Sequence, residues 1–209
     1  HAWEMPRDAH IVMIRHLHTY SCCMTRIAAV HGVLPAHRYH QQEITDALAA
    51  MCPPGAGAPE RDRGVLDRLH ATACVRTRHL ALPLERYASL DGFGQANDLF
   101  IEEGLRLGEE ALRAALDQAG LLPHEVDLVL TTSVTGIAAP SLEARLAGRL
   151  GLRPDVKRVP VFGLGCVAGA AGLARIHDYL RGHPEQVAVL LSVELCSLTL
   201  QRGDTSAQS

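Results

Sequence analysis

Val159-Pro160-Val161-Phe162-Gly163-Leu164-Gly165-Cys166-Val167-Ala168-Gly169-Ala170-Ala171-Gly172 reads as a strand, a tight turn and the start of a helix. Gly163 and Gly165 allow the chain to turn where side chains would obstruct it. The small residues after Cys166 keep the helix slim enough to pack closely against a neighbour, and its apolar first turns predict burial. The reading puts a thiol at the apex of the turn, where the unpaired N–H groups and dipole of a helix start favour an anionic thiolate. The same amides are suited to receive an oxyanion formed on an attacked thioester, a geometry analogous to a nucleophile elbow. Free cysteine is also a common small buried residue. Spacing alone leaves the nucleophile and the buried thiol equally open.

Outward from this stretch, strands and helices alternate. Residues 25–34 read as a strand ended by Pro35, and Gln41–Met51 as a short helix. A breaker cluster over 53–59 follows, then a second short helix at 61–73. In 95–119, Ile101, Leu105, Leu112 and Leu116 recur at helical spacing, and Gly120 and Pro123 stop the helix. A strand at 127–134, a helix at 141–150, a strand at Lys157–Phe162, a helix at 166–180 and a strand at 186–195 complete the pattern. Strands separated by helices of this length predict an α/β fold of βαβαβ type with a mostly parallel sheet. The continuously apolar runs at 128–130 and 187–191 fit strands covered on both faces.

Composition narrows the function classes. The 209 residues carry a net charge of −3 with 47% apolar residues, which gives no basic surface for nucleic acid and no reason to invoke a membrane surface. No apolar run approaches the roughly 18 residues of a membrane span. The six cysteines lie at scattered spacings without a CxxC pair, which favours reduced thiols and a cytoplasmic setting. The adjacent Cys22 and Cys23 lack a second ligand pair at zinc-site spacing, so no metal site is expected. Residues 1–23 show no sustained period, and the pattern changes at Met24. The expected division is therefore a tag, read-through or unstructured extension at 1–23 and one domain at 24–209.

Several blocks, in order, resemble the type III polyketide synthases, the chalcone and stilbene synthase-like branch of the thiolase superfamily. They are the segment 163–172 around Cys166, Thr131-Thr132-Ser133-Val134-Thr135-Gly136 ahead of Pro140-Ser141, the segment 151–160, and Glu194-Leu195-Cys196-Ser197-Leu198-Thr199. The nucleophile segment is most similar to bacterial alkylpyrone- and alkylresorcinol-type enzymes, and the resemblance runs from Met24 to the end. It implies a thiolase-like fold of which this chain is the N-terminal half. It also implies that Cys166 carries a starter acyl group taken from acyl-CoA and extended by decarboxylative condensation with malonyl-CoA. CoA thioesters are then the substrates, with no metal or redox cofactor, and the full-length enzyme is a homodimer.

The resemblance further assigns Arg68 to CoA phosphates, with Arg63 and Arg76 as weaker candidates. It assigns Thr132, Ser133, Glu194, Cys196 and Thr199 to the surroundings of an acyl pocket. Ala139 stands where plant members carry a methionine that reaches into the partner subunit. The family's His and Asn, which would stabilise the decarboxylation enolate, lie downstream of the nucleophile and find no counterpart here. Asn97 is the only asparagine and lies upstream; His177 and His183 read as surface or helix-end residues. These 209 residues are thus expected to load an acyl group without extending it. Two other readings stand beside this one: another ketoacyl synthase of the thiolase superfamily, and a non-catalytic or decayed fragment that only binds acyl-CoA.

Overall fold

The computed structural model describes residues 9–19, 22–51 and 63–201. In chain order the elements are β1 (Ala9–Thr19), β2 (Cys22–Gly32), β3 (His37–His40), α1 (Gln41–Met51), α2 (Arg63–Thr72), β4 (Thr77–Leu80), α3 (Gly92–Ala119), β5 (Leu128–Ser133), α4 (Leu142–Leu150), β6 (Lys157–Phe162), α5 (Ala168–Gly182) and β7 (Val187–Val193). The breaker cluster expected at 53–59 lies outside the described residues. The chain forms two compact units, His1–Leu34 with Asn97–Leu195, and Pro35–Ala96 with Cys196–Ser209.

The first unit is built on a five-stranded sheet of order β2-β1-β7-β5-β6. β5 pairs in parallel with β6 and β7, as the long helical crossovers require. β1 pairs antiparallel with both β7 and β2, so the sheet is mixed, with its parallel part confined to β7, β5 and β6. Strand alternation sorts the core into two layers. On one face Ile14, Leu128, Leu130, Ala188 and Leu190 form a cluster with Ile176 and Leu180 of α5. On the other, α3 approaches through Gly104 beside Val193 and through Gly108 beside Leu191 and Leu146.

Within the stretch 1–23, expected as a tag, read-through or unstructured extension, residues 9–19 are not unstructured: they form an interior strand with Ile11 and Met13 wholly buried and Ile14 nearly so. The physical reason is visible in Ile11-Val12-Met13-Ile14. A four-residue apolar run is too short for a targeting segment, but it is the right length for a strand covered on both faces. Residues 1–8 and 20–21 lie outside the described residues.

In the second unit β3 and β4 form an antiparallel pair beside α1 and α2. Neither strand was expected, because their half-buried polar sequences, His37-Arg38-Tyr39-His40 and Thr77-Arg78-His79-Leu80, carry little apolar alternation. Hydroxyl groups organise the rest. Ser197 Oγ accepts from the Tyr87 hydroxyl at 2.7 Å and from the Ala81 N–H at 3.2 Å, while Tyr87 Oη accepts from the Leu82 N–H. Burial raises the Tyr87 phenol above its ordinary range. His70 Nδ1 lies 2.7 Å from Thr45 Oγ1.

Two expected outcomes follow from this packing. A Cβ added at Gly172 of α5 would lie 2.6 Å from Leu190 Cδ1, whereas at Gly148 of α4 it would meet nothing within 4 Å. In urea unfolding, Gly172→Val should cost about 1–3 kcal/mol through overpacking. Gly148→Ala should be neutral or stabilise by up to about 1 kcal/mol through helix propensity. The second concerns acid. His70 titrates below its ordinary value, chiefly because of burial and secondly because of the Arg78 charge, partly opposed by Asp67. A histidine depressed in the folded state binds its proton more readily when unfolded, so its stabilising contribution is complete above the unfolded value and falls away below it. Thermal unfolding should therefore show stability falling as the pH drops below the unfolded histidine value of about 6.5, and His70→Gln should flatten that slope.

Candidate active site

The sheet register decides where Cys166 stands. Ser133 of β5 lies opposite Phe162 of β6, and Thr132 opposite Ser192 of β7. The carboxyl ends of the three parallel strands are therefore level, the edge at which open α/β sheets place their chemistry. From Phe162 the chain turns through Gly163 at φ +90° and Gly165 at φ +56°, values that favour glycine. A single 3-10 turn, Gly165–Val167, carries Cys166, and the Ala168 N–H closes it onto the Gly165 carbonyl. The Cys166 thiol is exposed.

Helix α5 then runs back over the sheet, and Gly172 rests against Leu190 and Leu130. Two residues farther along those strands, about 7 Å on, lie Ser192 and Thr132. Four residues back along the helix, about 6 Å, lies the buried Ala168. These steps set Ala168 over the Thr132–Ser192 pair, and Cys166, two residues earlier, lies toward the carboxyl ends of the strands. The thiol thus sits in the exposed turn that leads into α5, at the end of a rigid sheet, with the first amide of the helix already engaged by the Gly165 carbonyl.

The candidate nucleophile, the CoA-phosphate candidate and the residues assigned around the acyl pocket divide between the two units. Cys166, Thr132, Ser133 and Glu194 belong to the first; Arg68, Cys196 and Thr199 belong to the second. The buried Thr132 hydroxyl donates to Ser192 Oγ at 2.9 Å. Ser133 Oγ accepts from the Thr135 N–H. The Glu194 carboxylate accepts from the Val134 N–H at 3.1 Å and from Thr135 Oγ1 at 2.8 Å, and Thr135 Oγ1 accepts in turn from the Leu195 N–H. Glu194 therefore ties the end of β7 to the segment after β5. In the second unit Arg68 lies exposed on α2, a helix without a fully buried residue. Thr199 Oγ1 donates to the Cys196 carbonyl.

Asn97 and the histidines have local tasks. Asn97 Oδ1 accepts from the Ile137 N–H at 2.8 Å, and its Nδ2 donates to the Ile137 carbonyl at 2.9 Å. His177 Nδ1 lies 2.7 Å from Thr25 Oγ1 and, eleven residues along the chain from Cys166, roughly 16 Å down the helix. His183 stacks on Tyr179. Arg145 donates to the Pro140 and Ala139 carbonyls. Together with Asn97 and Glu194 it braces the 134–140 segment and leaves the Ile137 side chain exposed.

Three structural residues went unread in the sequence. Ser192 had a signal, a lone hydroxyl in the apolar run Val187-Ala188-Val189-Leu190-Leu191. Glu143 is buried at the first turn of α4, accepting from Thr131 and Ser141; its signal was an acid two residues after a capping serine. Arg145 had none. Among the described residues, no group of three or more His, Cys, Asp or Glu could hold a metal ion, and no helix is long and apolar enough to cross a membrane.

Residues 19–208 match the chalcone and stilbene synthases, N-terminal domain. The 1,3,6,8-tetrahydroxynaphthalene synthase of Streptomyces peucetius subsp. caesius is 62% identical over 184 residues, which cover 88% of this chain and 48% of that protein. The phloroglucinol synthase of Pseudomonas fluorescens is 32% identical over 182 residues, covering 87% and 51%. Among solved structures, the 1,3,6,8-tetrahydroxynaphthalene synthase of Streptomyces coelicolor A3(2), a bacterial type III polyketide synthase, superposes with a TM-score of 0.76 at 30% identity, over 84% of this chain and 49% of that one. The chain spans about half the length of the curated relatives it matches.

The Thr132–Ser192 pair gives a quantitative check on the site's floor. In a double-mutant cycle with Thr132→Val and Ser192→Ala, each single change should cost about 1–2 kcal/mol by stranding its partner. The double variant should recover part of that loss, giving a coupling of about 0.5–1.5 kcal/mol. Purely additive losses would mean that the two hydroxyls do not depend on each other.

Proposed function

Because the chain belongs to the chalcone and stilbene synthase family, we propose that it supplies the acyl-loading half of a type III polyketide synthase, an acyltransferase in which Cys166 is the nucleophile. The observation that carries this reading is the exposed thiol in a glycine-relaxed turn at the start of α5, level with the ends of the parallel strands. The thiolate attacks the carbonyl of an acyl-CoA, and backbone amides of the turn that carries Cys166 receive the developing oxyanion. Collapse breaks the carbonyl–sulfur bond to CoA, which leaves as a thiolate and takes up a proton, and the acyl group remains on Cys166.

Extension in the whole enzyme breaks the carbon–carbon bond of malonyl-CoA to its carboxylate and releases CO2. The resulting enolate carbon attacks the Cys166 thioester and frees the thiolate for the next cycle. The donors for that enolate are the His and Asn that the resemblance assigns downstream of the nucleophile. Both steps move electron pairs among carbonyl carbon, enolate and sulfur, so the reading calls for no metal or redox cofactor. CoA thioesters as substrates fit a cytoplasmic enzyme. The relative with 62% identity favours a fused-ring product of the tetrahydroxynaphthalene kind over the alkylpyrone or alkylresorcinol type first suggested by the nucleophile segment.

Arg68 remains the proposed contact for CoA phosphates, and Thr132, Ser133, Glu194, Cys196 and Thr199 the proposed surroundings of the acyl chain, the polar ones acting largely as braces. The partner we propose is a second copy. Among the described residues β6 ends the sheet beside β5 and exposes Val159 and Phe162, and an apolar edge of that kind invites another strand or chain.

The test is intact-mass analysis of the purified chain after incubation with acetyl-, malonyl- and hexanoyl-CoA in turn. One acyl increment is expected with at least one of them, lost in Cys166→Ala at unchanged circular dichroism. No extended product should form from malonyl-CoA by these 209 residues alone. An increment that survives Cys166→Ala would overturn the assignment.

A further inference from the structure

In a 3-10 turn the side chains at i and i+3 eclipse one another. Cys196–Thr199 is such a turn, so Cys196 and Thr199 share one face, and both are exposed. Ser197 and Leu198 take the other two faces and hold the turn to the second unit, Leu198 by burial and Ser197 by hydrogen bonds. Ser197 Oγ accepts from the Tyr87 hydroxyl at 2.7 Å and from the Ala81 N–H at 3.2 Å. We propose that Tyr87 and Ser197 are positioning residues. Their hydrogen bond fixes the rotation of the turn, and through Cys196 and Thr199 it sets which acyl chains are accepted. The selectivity rests on the reading of Cys166 as the acyl carrier and of Cys196 and Thr199 as surroundings of the chain it carries.

Apolar burial has no direction, so Leu198 alone would let the turn roll about its axis. Two donors converging on one oxygen do not allow that, because a hydrogen bond weakens steeply once it is bent. The donor side is itself held. Tyr87 is 3% exposed, and its Oη accepts from the Leu82 N–H at 3.1 Å. It lies in the 3-10 helix Leu84–Ser89, whose first N–H donates to Tyr39 Oη at 3.0 Å. Leu80, Ala81 and Leu82 are buried. Burial raises the Tyr87 phenol above its ordinary value, so the hydroxyl keeps its proton, and with it the donor role, through the neutral range. A turn aimed by so fixed a support presents a wall of constant shape, and acyl chains of different length meet such a wall differently.

Hydrogen exchange and competitive loading, both on the full chain, test positioning and selectivity separately. In Tyr87→Phe, amide exchange should quicken about fivefold over 196–199 as well as over 81–82, the loss expected for one neutral hydrogen bond. Unchanged exchange over 196–199 overturns the positioning. Given acetyl- and hexanoyl-CoA together, Tyr87→Phe and Ser197→Ala should each shift the ratio of the two acyl groups on Cys166 by a similar factor. Equal slowing of both, with the ratio unchanged, would mean a structural role only and overturn the selectivity. Wild-type Cys166 left without any acyl group would overturn the reading of that thiol, and selectivity with it, while exchange still decides the positioning. Should neither variant fold, the unaltered chain decides. Slow exchange at the Ala81 and Leu82 amides is expected there, and exchange at the open-chain rate would overturn the proposal.

Discussion

The candidate site depends on one steric contact, the seat of α5 on β5 and β7 at Gly172. With hydrogen alone at that position, the helix lies close enough for Leu190 and Leu130 to touch its backbone side. The helix is then held against the core from its first turns, at the buried Ala168 and at Gly172, and Gly163 and Gly165 bring the chain up to it from β6. Cys166 inherits its place from this arrangement. It rides on the end of a packed helix above a sheet whose strands end level, so its position is set by the core. A bulkier residue at 172 would tilt the helix and move the thiol.

Around that seat, the polar groups act mainly as braces. Thr132 with Ser192, Glu194 with Val134 and Thr135, and Asn97 with Ile137 each tie one element's end to another. The neutral pairs are individually modest, of order 1 kcal/mol, but they fix the ends of β5 and β7 and the segment after β5. Preorganisation of this kind is what an acyl-transfer site requires, because a misplaced carbonyl loses the geometry of attack. Loading and extension separate cleanly in this light. On the proposed reading, loading calls for a thiol held in such a turn over a firm floor, and extension for enolate donors that the resemblance assigns downstream of the nucleophile.

How far the sequence was legible follows from the range of the interactions. The α/β alternation could be read because helix periodicity and apolar strands are local patterns, and the turn at Cys166 because glycine placement is local too. β1 was missed since a four-residue apolar run does not say on its own whether it is strand, helix or anchor, and its partners in β7 lie far off in the chain. β3 and β4 were missed because half-buried polar strands lack the alternation that marks a sheet face. Glu194 read as a pocket residue; its carboxylate is engaged by Val134 and Thr135, sixty and fifty-nine residues away, a pairing that no local pattern encodes.

The most direct test of the central claim asks whether setting, and not exposure, selects the nucleophile. Cys74, Cys166 and Cys196 are all exposed, and Cys166 alone stands at the start of a long helix above the ends of the parallel strands. Peptide mapping after brief treatment with an acyl-CoA would locate the thioester. The account predicts acylation at Cys166, with Cys74 and Cys196 unmodified under the same conditions. Equal acylation of the three, or preference for either of the others, would contradict it.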